Sequence, residues 1–466
     1  MTLLNGFSWF ILCYFIALNG SYLFLNLLSL RALRLRIDER LLDDLPQAYS
    51  GLELPVSILV PAYNEEGTIC TSVLSLLQLA YPEFEIIVIN DGSQDDTLEV
   101  LKREFGLLPF PEAYRAYLPS KPIRGIYRST RYLNVRVIDK ENGGKADSQN
   151  AAINISRYPL VCPVDADSIL QRDSMARVVR PFLSDPTVVG AGGTVRIANG
   201  CEVRGGFLTK VGLPSNWLAL FQVVEYLRAF LFGRVGWSSI NGMLIISGAF
   251  GVFRRDAIML AGGYRSDTLG EDMELVVRMH RQLRAQGKPY RIAFMPDPVC
   301  WTEAPEDLET LKNQRIRWQR GLSECLARHW RLMFSRNGGV PGWLALPYAL
   351  LFEWLSSILE LFGYIVMLIA YLSGSISWQA YGAFLFVAIG MGILLSASGL
   401  LLEEMSFHTY PRGKQLLRLG LAAIVENFGY RQLNSYWRLI GTYRWIRRSE
   451  SKWGVMKRKG SWHSED

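Results

Sequence analysis

The sequence contains few of the residues that build disulfide frameworks or metal sites with nitrogen and sulfur ligands. It has six cysteines and four histidines among 466 residues. The cysteines show no C-x-x-C spacing and the histidines do not cluster, so we expect neither a zinc site nor a disulfide framework. Scattered cysteines of this kind fit the reducing environment of the cytosol.

Charged side chains are absent from residues 3–30, and ~20 apolar residues suffice to cross a bilayer. No basic residue precedes this run and no small-residue cleavage site follows it, which favours a membrane anchor over a cleaved signal peptide. Arg31, Arg34, Arg36 and Arg40 come directly after the run. By the positive-inside rule, we expect the following residues to lie in the cytoplasm.

Two further apolar runs, residues 344–372 and 379–402, predict two more membrane crossings. Glu353 and Glu360 lie seven residues apart in the first of them, so they line a water-filled cavity or reach the interface from the helix end. Residues 416–443 mix an apolar stretch with charges, and we expect an interfacial or re-entrant element there rather than a crossing.

The chain therefore divides into four predicted parts. They are an N-terminal transmembrane helix at 1–32, a cytoplasmic domain at 53–335, transmembrane and interfacial helices at 342–443 and a basic cytoplasmic tail at 444–466. We expect a multi-pass protein of the cell inner (plasma) membrane. The net charge of +7 comes from lysines and arginines beside apolar stretches, which indicates membrane lipids rather than nucleic acid as partners.

Short apolar segments alternate with helical patterns through the cytoplasmic part, which predicts an α/β domain with a parallel sheet. The predicted strands are residues 56–61, 85–89, 135–138 and 160–164. Polar clusters follow three of them: residues 62–65, 90–93 and 165–167. Ligands bind beyond the carboxyl ends of such strands. The insertion 105–132, rich in proline and aromatic residues, is expected to form a surface subdomain or lid.

Several polar residues have the chemistry needed to bind a phosphorylated ligand. Asp165 and Asp167 offer two hard oxygen ligands to one divalent cation, Mg²⁺ or Mn²⁺. Lys145 follows two glycines that permit close backbone approach, and it can contact a phosphate or serve as an ordinary turn lysine. Glu271 and Asp272 begin a helical pattern, where they either perform chemistry or favour the helix N-terminus electrostatically.

The order of these motifs, together with Gln314, Arg317 and Trp318 in a Q-x-x-R-W run, resembles the membrane-bound processive family-2 glycosyltransferases. That group includes cellulose, hyaluronan, chitin and poly-N-acetylglucosamine synthases. The resemblance implies a GT-A (Rossmann-like) fold and inverting transfer from a UDP-sugar. It places Asp272, beside Glu271, as the general base and Asp165 and Asp167 at the metal.

The resemblance also assigns the binding residues. Tyr63, Glu65 and Asp91 would hold the uridine, although Tyr63 and Glu65 are also suited to a helix start. Lys145, Gln314 and Arg317 would contact the diphosphate. Trp318 would stack on the acceptor sugar, with a buried core tryptophan as the alternative, and Ser247 would line the acceptor site.

We therefore expect a metal-dependent polymerase of a β-linked exopolysaccharide that also translocates its product, with UDP-N-acetylglucosamine as the first choice of donor and UDP-glucose as the second. The acceptor is a polysaccharide or a lipid, and an accessory export subunit is a possible partner. Two alternatives stay open: a glycolipid synthase that makes a single transfer, and a catalytically silent membrane scaffold of an export system.

Overall fold

A computed structural model of the protein describes residues 2–43, 53–204, 206–410 and 412–449. Most of the predicted basic tail, from residue 450 to 466, lies outside the described residues, as do residues 44–52 before the cytoplasmic domain.

The strands of the described chain belong to one large sheet and one small hairpin. They are β1 (Val56–Ala62), β2 (Phe84–Asn90), β3 (Leu107–Pro109), β4 (Ile123–Ser129), β5 (Val135–Lys140), β6 (Leu160–Pro163), β7 (Ile169–Leu170), β8 (Val188–Ile197), β9 (Glu202–Arg204), β10 (Phe207–Lys210), β11 (Gly251–Arg254) and β12 (Arg291–Thr302). The large sheet has the order β3-β4-β5-β2-β1-β6-β11-β8-β12-β7, and β9 pairs with β10 separately.

Helices cover both faces of the sheet and form the membrane-associated part. They are α1 (Thr2–Asp43), α2 (Ile69–Leu77), α3 (Thr97–Phe105), α4 (Lys145–Ile155), α5 (Ser174–Ser184), α6 (Trp217–Leu227), α7 (Val235–Ser239), α8 (Arg255–Ala261), α9 (Glu271–Ala285), α10 (Leu308–His329), α11 (Leu346–Tyr348), α12 (Ser356–Leu372), α13 (Trp378–Leu385), α14 (Met391–Ser406), α15 (Gly413–Val425) and α16 (Tyr430–Ile446). π-Helical turns at Arg228–Arg234 join α6 to α7, and those at Phe386–Gly390 join α13 to α14.

The centre of the sheet is parallel, as the sequence predicts. β1 pairs in parallel with both β2 and β6, and β2 pairs in parallel with β5. These four strands correspond to the four predicted ones, and most of their side chains are buried. Both faces are covered by helices, which explains why the strands have continuous apolar runs rather than an alternating pattern. The carboxyl ends of β1, β2 and β6 therefore meet at one edge of the sheet.

The insertion 105–132 is continuous with the main sheet at both ends, and its middle, residues 110–122, is mostly exposed. Its two ends are β3 and β4, which extend the main sheet because β4 pairs antiparallel with β5 and β3 with β4. Pro109 ends the short outer strand, and proline is tolerated at such an edge because no ladder hydrogen bond is required of it.

Two helices of the described chain are long and apolar enough to cross a membrane, Gly6–Arg34 and Trp378–Ser406. They correspond to the first and last predicted crossings. The middle one is not a straight helix, because Pro341–Trp354 and Ser356–Leu372 meet at a bend of 40°. π-Helical turns precede the bend, and such turns are a common cause of sharp helix bends. The segment 416–443 forms α15 and α16, and neither meets the same test of length and composition.

The two acidic residues near the bend face α16. The hydroxyl of Ser435 donates a hydrogen bond of 2.7 Å to Glu360, and Arg431 lies 3.9 Å from the same carboxylate. Arg438 donates to the backbone carbonyl of Glu353. The two arginines are also seven residues apart, so both contacts lie along one face of α16.

A buried ion pair attaches the sheet to the second apolar helix. Arg196 on β8 donates to the carboxylate of Glu403 on α14, and both side chains are almost fully buried. Removing one partner of such a pair leaves an uncompensated charge in a low-dielectric environment, whereas replacing both with apolar groups is often tolerated.

We therefore predict that Arg196→Met lowers the free energy of unfolding by about 3–5 kcal/mol, and that the double change Arg196→Met/Glu403→Leu restores most of that loss. Thermal unfolding of the detergent-solubilised protein would measure both. Equal destabilisation by the single and double variants would contradict the role of the pair.

Candidate active site

The loops after β1 and β2 are joined by side-chain hydrogen bonds. The backbone N–H of Asn64 donates to the Ser93 hydroxyl at 3.0 Å, and the N–H of Gln94 donates to Oδ1 of Asn64 at 2.9 Å. Asn64 has a positive φ of 55°, a conformation that asparagine adopts more readily than most residues. The two polar clusters therefore form one rigid rim beside the carboxyl end of β6.

A cluster of charged residues lies at the end of β6. Lys145, the first residue of α4, forms an ion pair with Asp165 and donates to the carbonyl of Gly248 at 3.1 Å. The N–H of Gly248 donates to Oδ2 of Asp272 at 3.2 Å. Gly248 thus lies between Lys145 and Asp272 and connects them through its peptide groups. The fold brings together residues that are spread over positions 145–272 of the sequence.

Asp272 is oriented by backbone donors. Its Oδ1 accepts a hydrogen bond of 2.8 Å from the N–H of Met273, while Oδ2 accepts from Gly248. These two hydrogen bonds fix the orientation of the carboxylate in the first turn of α9.

Glu271 is buried next to this cluster. Burial raises its pKa to about 7 and the charge of Asp272 acts in the same direction, while Lys145 and Arg317 act against them. Burial lowers the pKa of Lys145, but the carboxylates of Asp165, Glu271 and Asp272 outweigh this effect and the net shift is upward. Lys145 therefore stays charged, and Glu271 titrates near neutral pH.

Two glycines bring α9 and α10 into backbone contact. A Cβ atom added to Gly321 would lie 2.9 Å from the Cα and N atoms of Gly270. Glu324 strengthens the same contact, because its carboxylate accepts hydrogen bonds from the hydroxyl of Thr268 and the N–H of Leu269, both at 2.9 Å. This contact explains how Arg317, on α10, comes within electrostatic reach of Glu271.

The remaining residues of the Q-x-x-R-W run differ in exposure. Gln314 is only 8% exposed, and its buried Oε1 has no hydrogen-bond partner among the described residues. Trp318 is 42% exposed, so the alternative of a buried core tryptophan is wrong. One face of its ring is covered by the guanidinium of Arg315, 4.6 Å from the ring centroid. Arg315 is itself held by Glu225 through two hydrogen bonds.

Asp91, which is expected near the nucleobase, is buried just after the end of β2. It is 3% exposed, and its carboxylate accepts hydrogen bonds from Lys140 at 2.6 Å and from the N–H groups of Gly143 and Gly144 at 3.0 and 2.7 Å. Gly144 has a φ of 86°, which only glycine adopts without strain. In this structure Asp91 therefore positions the turn that leads into Lys145.

Tyr63 and Glu65 lie in the loop after β1, outside the charged cluster. Tyr63 is exposed and its ring is accessible to a ligand. Glu65 accepts a hydrogen bond of 2.6 Å from the hydroxyl of Thr68, and its N–H donates to Thr97 at 2.9 Å. These contacts fit the helix-start alternative for Glu65, because they organise the turn that precedes α2.

Asp165 and Asp167 follow β6, and both are half-buried. Burial raises the pKa of the nearby Cys300 thiol, and the negative charges of Asp165 and Asp167 add to that effect. Among the described residues, no group of three or more histidine, cysteine, aspartate or glutamate side chains is arranged to hold a metal ion. Two hard carboxylates nonetheless suit Mg²⁺ or Mn²⁺, which usually complete their coordination with water and substrate phosphates.

Comparison with known families is decisive for the class of protein. A family model described as glycosyl transferase family group 2 matches residues 160–395, and one described as glycosyl transferase family 2 matches residues 57–115. The chain belongs to glycosyltransferase family 2. The predicted membership of this family is confirmed.

The glycosyltransferase is similar to curated relatives from staphylococci. It is 30% identical over 322 residues to a poly-beta-1,6-N-acetyl-D-glucosamine synthase of Staphylococcus epidermidis, which covers 68% of this chain and 64% of the relative. It is 30% identical over 315 residues to the synthase of the same name from Staphylococcus aureus strain MSSA476, with 67% and 63% coverage. The chain thus spans less than two thirds of the length of these relatives.

A solved structure supports the fold of the glycosyltransferase. The mannosyltransferase PcManGT from Pyrobaculum calidifontis, in complex with GDP-Man and Mn²⁺, superposes with a TM-score of 0.53 and 20% sequence identity. The match covers 90% of this chain and 99% of PcManGT. The predicted GT-A-like α/β fold is confirmed.

Sequence reasoning singled out Ser247 for the acceptor site but missed its neighbour. Ser247 is half-buried, and its hydroxyl accepts a hydrogen bond of 3.4 Å from the N–H of Ala249. Gly248 makes the direct contacts to Lys145 and Asp272 through its backbone. The only signal in the sequence was the glycine itself, in the run Ser247-Gly248-Ala249-Phe250.

Arg234 is a second residue that sequence reasoning missed. Burial lowers its pKa to about 10, and the charge of Asp272 acts in the opposite direction. Its guanidinium lies 3.9 Å from the ring centroid of Phe230. The π-helical segment after α6 thus brings a cation within electrostatic reach of Asp272.

We predict that Gly321→Ala in the glycosyltransferase lowers both thermal stability and transferase activity. The new methyl group would push α10 away from Gly270, and a displacement of about 1 Å in an active site can reduce a rate about 100-fold. Gly420→Ala is a matched control, since a Cβ there meets nothing within 4 Å. Unchanged activity in Gly321→Ala would contradict the role of this contact.

We also predict that Glu271 makes stability fall as pH rises. The ordinary pKa of this carboxyl is 4.5 and the folded value is about 7, so the folded state binds the proton more tightly and loses stability between these values. As the pH rises from 5 to 8, the free energy of unfolding of Glu271→Gln should increase relative to that of the wild type by on the order of 2–3 kcal/mol. Thermal unfolding across this range would test it.

The exposed Glu309→Gln provides the control for the loss of one carboxylate. If wild type and Glu271→Gln keep a constant difference in stability from pH 5 to 8, the raised pKa of Glu271 is wrong.

Proposed function

We propose that the protein is a membrane-embedded, metal-dependent, inverting glycosyltransferase that transfers N-acetylglucosamine processively from UDP-N-acetylglucosamine to a growing β-linked exopolysaccharide. UDP-glucose is the second choice of donor. Translocation of the polymer by the chain's own helices, within the cell inner membrane, is part of the proposal. The names of the staphylococcal relatives support this choice of sugar.

One observation carries the proposal: Lys145, Asp165 and Asp272 meet around Gly248 at the carboxyl end of β6. Sugar transfer from a nucleotide diphosphate needs a base for the acceptor hydroxyl and positive charge for the leaving diphosphate. This cluster contains candidates for both within one site.

Asp272 is the proposed general base. Both of its oxygens are oriented by backbone N–H groups, and carboxylate oxygens can accept more than one hydrogen bond each. It would accept the proton of the acceptor hydroxyl as that oxygen attacks the anomeric carbon of the donor. A single displacement of this kind inverts the configuration and makes a β-linkage from an α-linked donor. The neighbouring Glu271 would assist Asp272, because its protonation changes the negative charge beside the proposed base.

Lys145 and Arg317 are the proposed contacts of the diphosphate. Lys145 is a compact charge at the start of α4, and Arg317 lies on α10 near Glu271. Each can donate hydrogen bonds to phosphate oxygens as negative charge develops on the leaving group. Gln314 lies three residues before Arg317 on α10 and has a buried oxygen that a donor group of the nucleotide can satisfy.

Asp165 and Asp167 would hold Mg²⁺ or Mn²⁺. When bound, the cation would neutralise part of the negative charge of the diphosphate. Asp165 now accepts from Lys145, and this ion pair would have to rearrange so that the lysine reaches a phosphate.

The remaining proposed contacts lie around the cluster. The exposed ring of Trp318 would stack on the acceptor sugar, and Ser247 would line the same side. Tyr63 would pack against the uracil. Asp91 and Glu65 would act on the donor by fixing the loops that surround it, because their carboxylates accept hydrogen bonds from the protein itself.

A second candidate function is that of a single-transfer glycolipid synthase. The bent helix pair, Pro341–Trp354 and Ser356–Leu372, favours it because the bend does not define a channel for a polymer. The size of the product separates the two. A silent scaffold is the third, and it predicts no release of UDP with any donor.

The main test is release of UDP by the purified protein in nanodiscs, with a panel of UDP-sugars and with Mg²⁺ or Mn²⁺. We expect release with UDP-N-acetylglucosamine and a fall of about 10²–10⁴-fold in Asp272→Asn, the range typical of a lost general base. Asp267→Asn, an exposed aspartate five residues away, is the matched control.

A chain-length analysis of the product would follow. Long polymer supports the proposal, and a single added sugar on a lipid favours the glycolipid synthase. Full activity in Asp272→Asn would contradict its assignment as the base, and failure of every donor in the presence of metal and membrane lipid would favour the scaffold.

A further inference from the structure

A basic cleft lies apart from the active site, between the β9–β10 hairpin and the start of α15. Its volume is about 330 Å³, and the charged residues that line it are Glu202, Lys210, Arg412, Lys414 and Arg418. Four cations and one carboxylate thus line the same cavity. We call these residues the basic cleft.

Most of the positive charge in the basic cleft is not neutralised by the protein. Lys210 forms an ion pair with Glu202. Arg418 donates to the backbone carbonyl of Ser215 at 2.7 Å, which leaves its charge intact. Arg412 and Lys414 form no ion pair with any described carboxylate, and both are exposed. Three positive charges therefore face the cavity without a counter-charge.

The floor of the basic cleft is rigid. Gly200 has a φ of 82°, and a Cβ atom on it would lie 2.4 Å from the carbonyl oxygen of Leu213. A Cβ on Gly212 would lie 1.9 Å from the carbonyl oxygen of Gly200. Because both positions need glycine for this close approach, the cavity is a defined feature of the fold and does not depend on a chance arrangement of long side chains.

The position of the basic cleft relates it to the membrane. The apolar helix Trp378–Ser406 ends a few residues before Arg412. The following helix, α15, exposes Leu417, Leu421 and Ile424, which are spaced by four and three residues and so share one face. The exposed Trp217 lies beside Arg418, at 6.0 Å from its guanidinium. An apolar face, adjacent cations and a tryptophan are typical of a helix in the membrane interface.

We propose that the basic cleft binds the phosphate of an anionic phospholipid headgroup, with the acyl chains along the exposed apolar face of α15. Arginine can bind phosphate oxygens in a bidentate manner and lysine adds a point charge. The occupant is a lipid rather than a soluble phosphate because the apolar face continues directly from the cations. The inference goes beyond sugar transfer and requires only that the protein lies in a bilayer.

The test compares lipid binding by full-length protein variants in detergent micelles, measured by native mass spectrometry. The variant is Arg412→Gln/Lys414→Gln, and the probes are phosphatidylglycerol and phosphatidylcholine. Each cation near an anionic lipid strengthens binding by roughly fivefold, so the affinity for phosphatidylglycerol should fall roughly 25-fold. The affinity for phosphatidylcholine should not change.

A matched control removes two charges elsewhere. Arg103→Gln/Arg124→Gln alters two exposed arginines, one on α3 and one on β4 at the other end of the sheet, and should keep the wild-type affinity. Thermal unfolding of both double variants shows whether each remains folded. Arg412→Lys keeps the charge and should retain most of the binding.

Three results would overturn the proposal. Equal losses of affinity for phosphatidylglycerol in the two double variants would mean that lipid binding depends only on the overall charge of the protein. An unchanged affinity in Arg412→Gln/Lys414→Gln would exclude the basic cleft as the site. Binding of glycerol 3-phosphate or inorganic phosphate as tight as that of phosphatidylglycerol would assign the cleft to a soluble anion. None of these results depends on the donor sugar, so they are independent of the transferase assay.

Discussion

The active site depends on one lysine that neutralises several carboxylates. Asp165, Glu271 and Asp272 all act electrostatically on Lys145, and burial would make their mutual repulsion costly without a cation between them. The position of Lys145 is in turn fixed by the turn before it, where Asp91 accepts hydrogen bonds from the N–H groups of Gly143 and Gly144. A carboxylate at the end of β2 thus determines where the central cation lies.

A second constraint connects the site to the apolar helices. The Gly270–Gly321 contact fixes α10 against α9, and the far side of α10 contacts α16, where Arg438 donates to Gln319 at 2.9 Å. The same arginine donates to the carbonyl of Glu353, next to the bend of the helix pair. The half-buried side chain of Arg438 therefore contacts both α10 and the bent apolar segment.

Local patterns were sufficient to predict some residues of the site and not others. Asp165 and Lys145 could be predicted because each follows a strand or a glycine turn that the sequence itself reveals. Gly248 and Gly321 could not, since their importance comes from a backbone approach between segments far apart in sequence. The contacts of Asp91 could not be predicted for the same reason: nothing local indicates that Lys140 and two N–H groups donate to its oxygens.

The fold likewise contains elements that local sequence patterns predict and elements that they do not. The parallel centre of the sheet was predictable because its strands are buried on both faces and have continuous apolar runs. The edge strands β3 and β4 were missed because their pairing depends on tertiary contacts. In addition, β3 has only three residues, and β4 carries two arginines and a glycine among its seven. The bend at Leu355 was also missed, because the run 344–372 was interpreted from its overall apolar composition, although it contains Pro347 and Glu353.

The balance of charge in the site bears on how an anionic donor could be bound. Three carboxylates, those of Asp165, Glu271 and Asp272, act on Lys145, while Arg317 acts on Glu271 and Asp272 acts on Arg234. With a pKa of about 7, Glu271 is protonated part of the time near neutral pH. The carboxylates and the cations around the candidate site therefore nearly balance, and this leaves little positive charge for an anionic donor. In the proposed function, Asp165 and Asp167 would hold a divalent cation that adds positive charge beside the diphosphate.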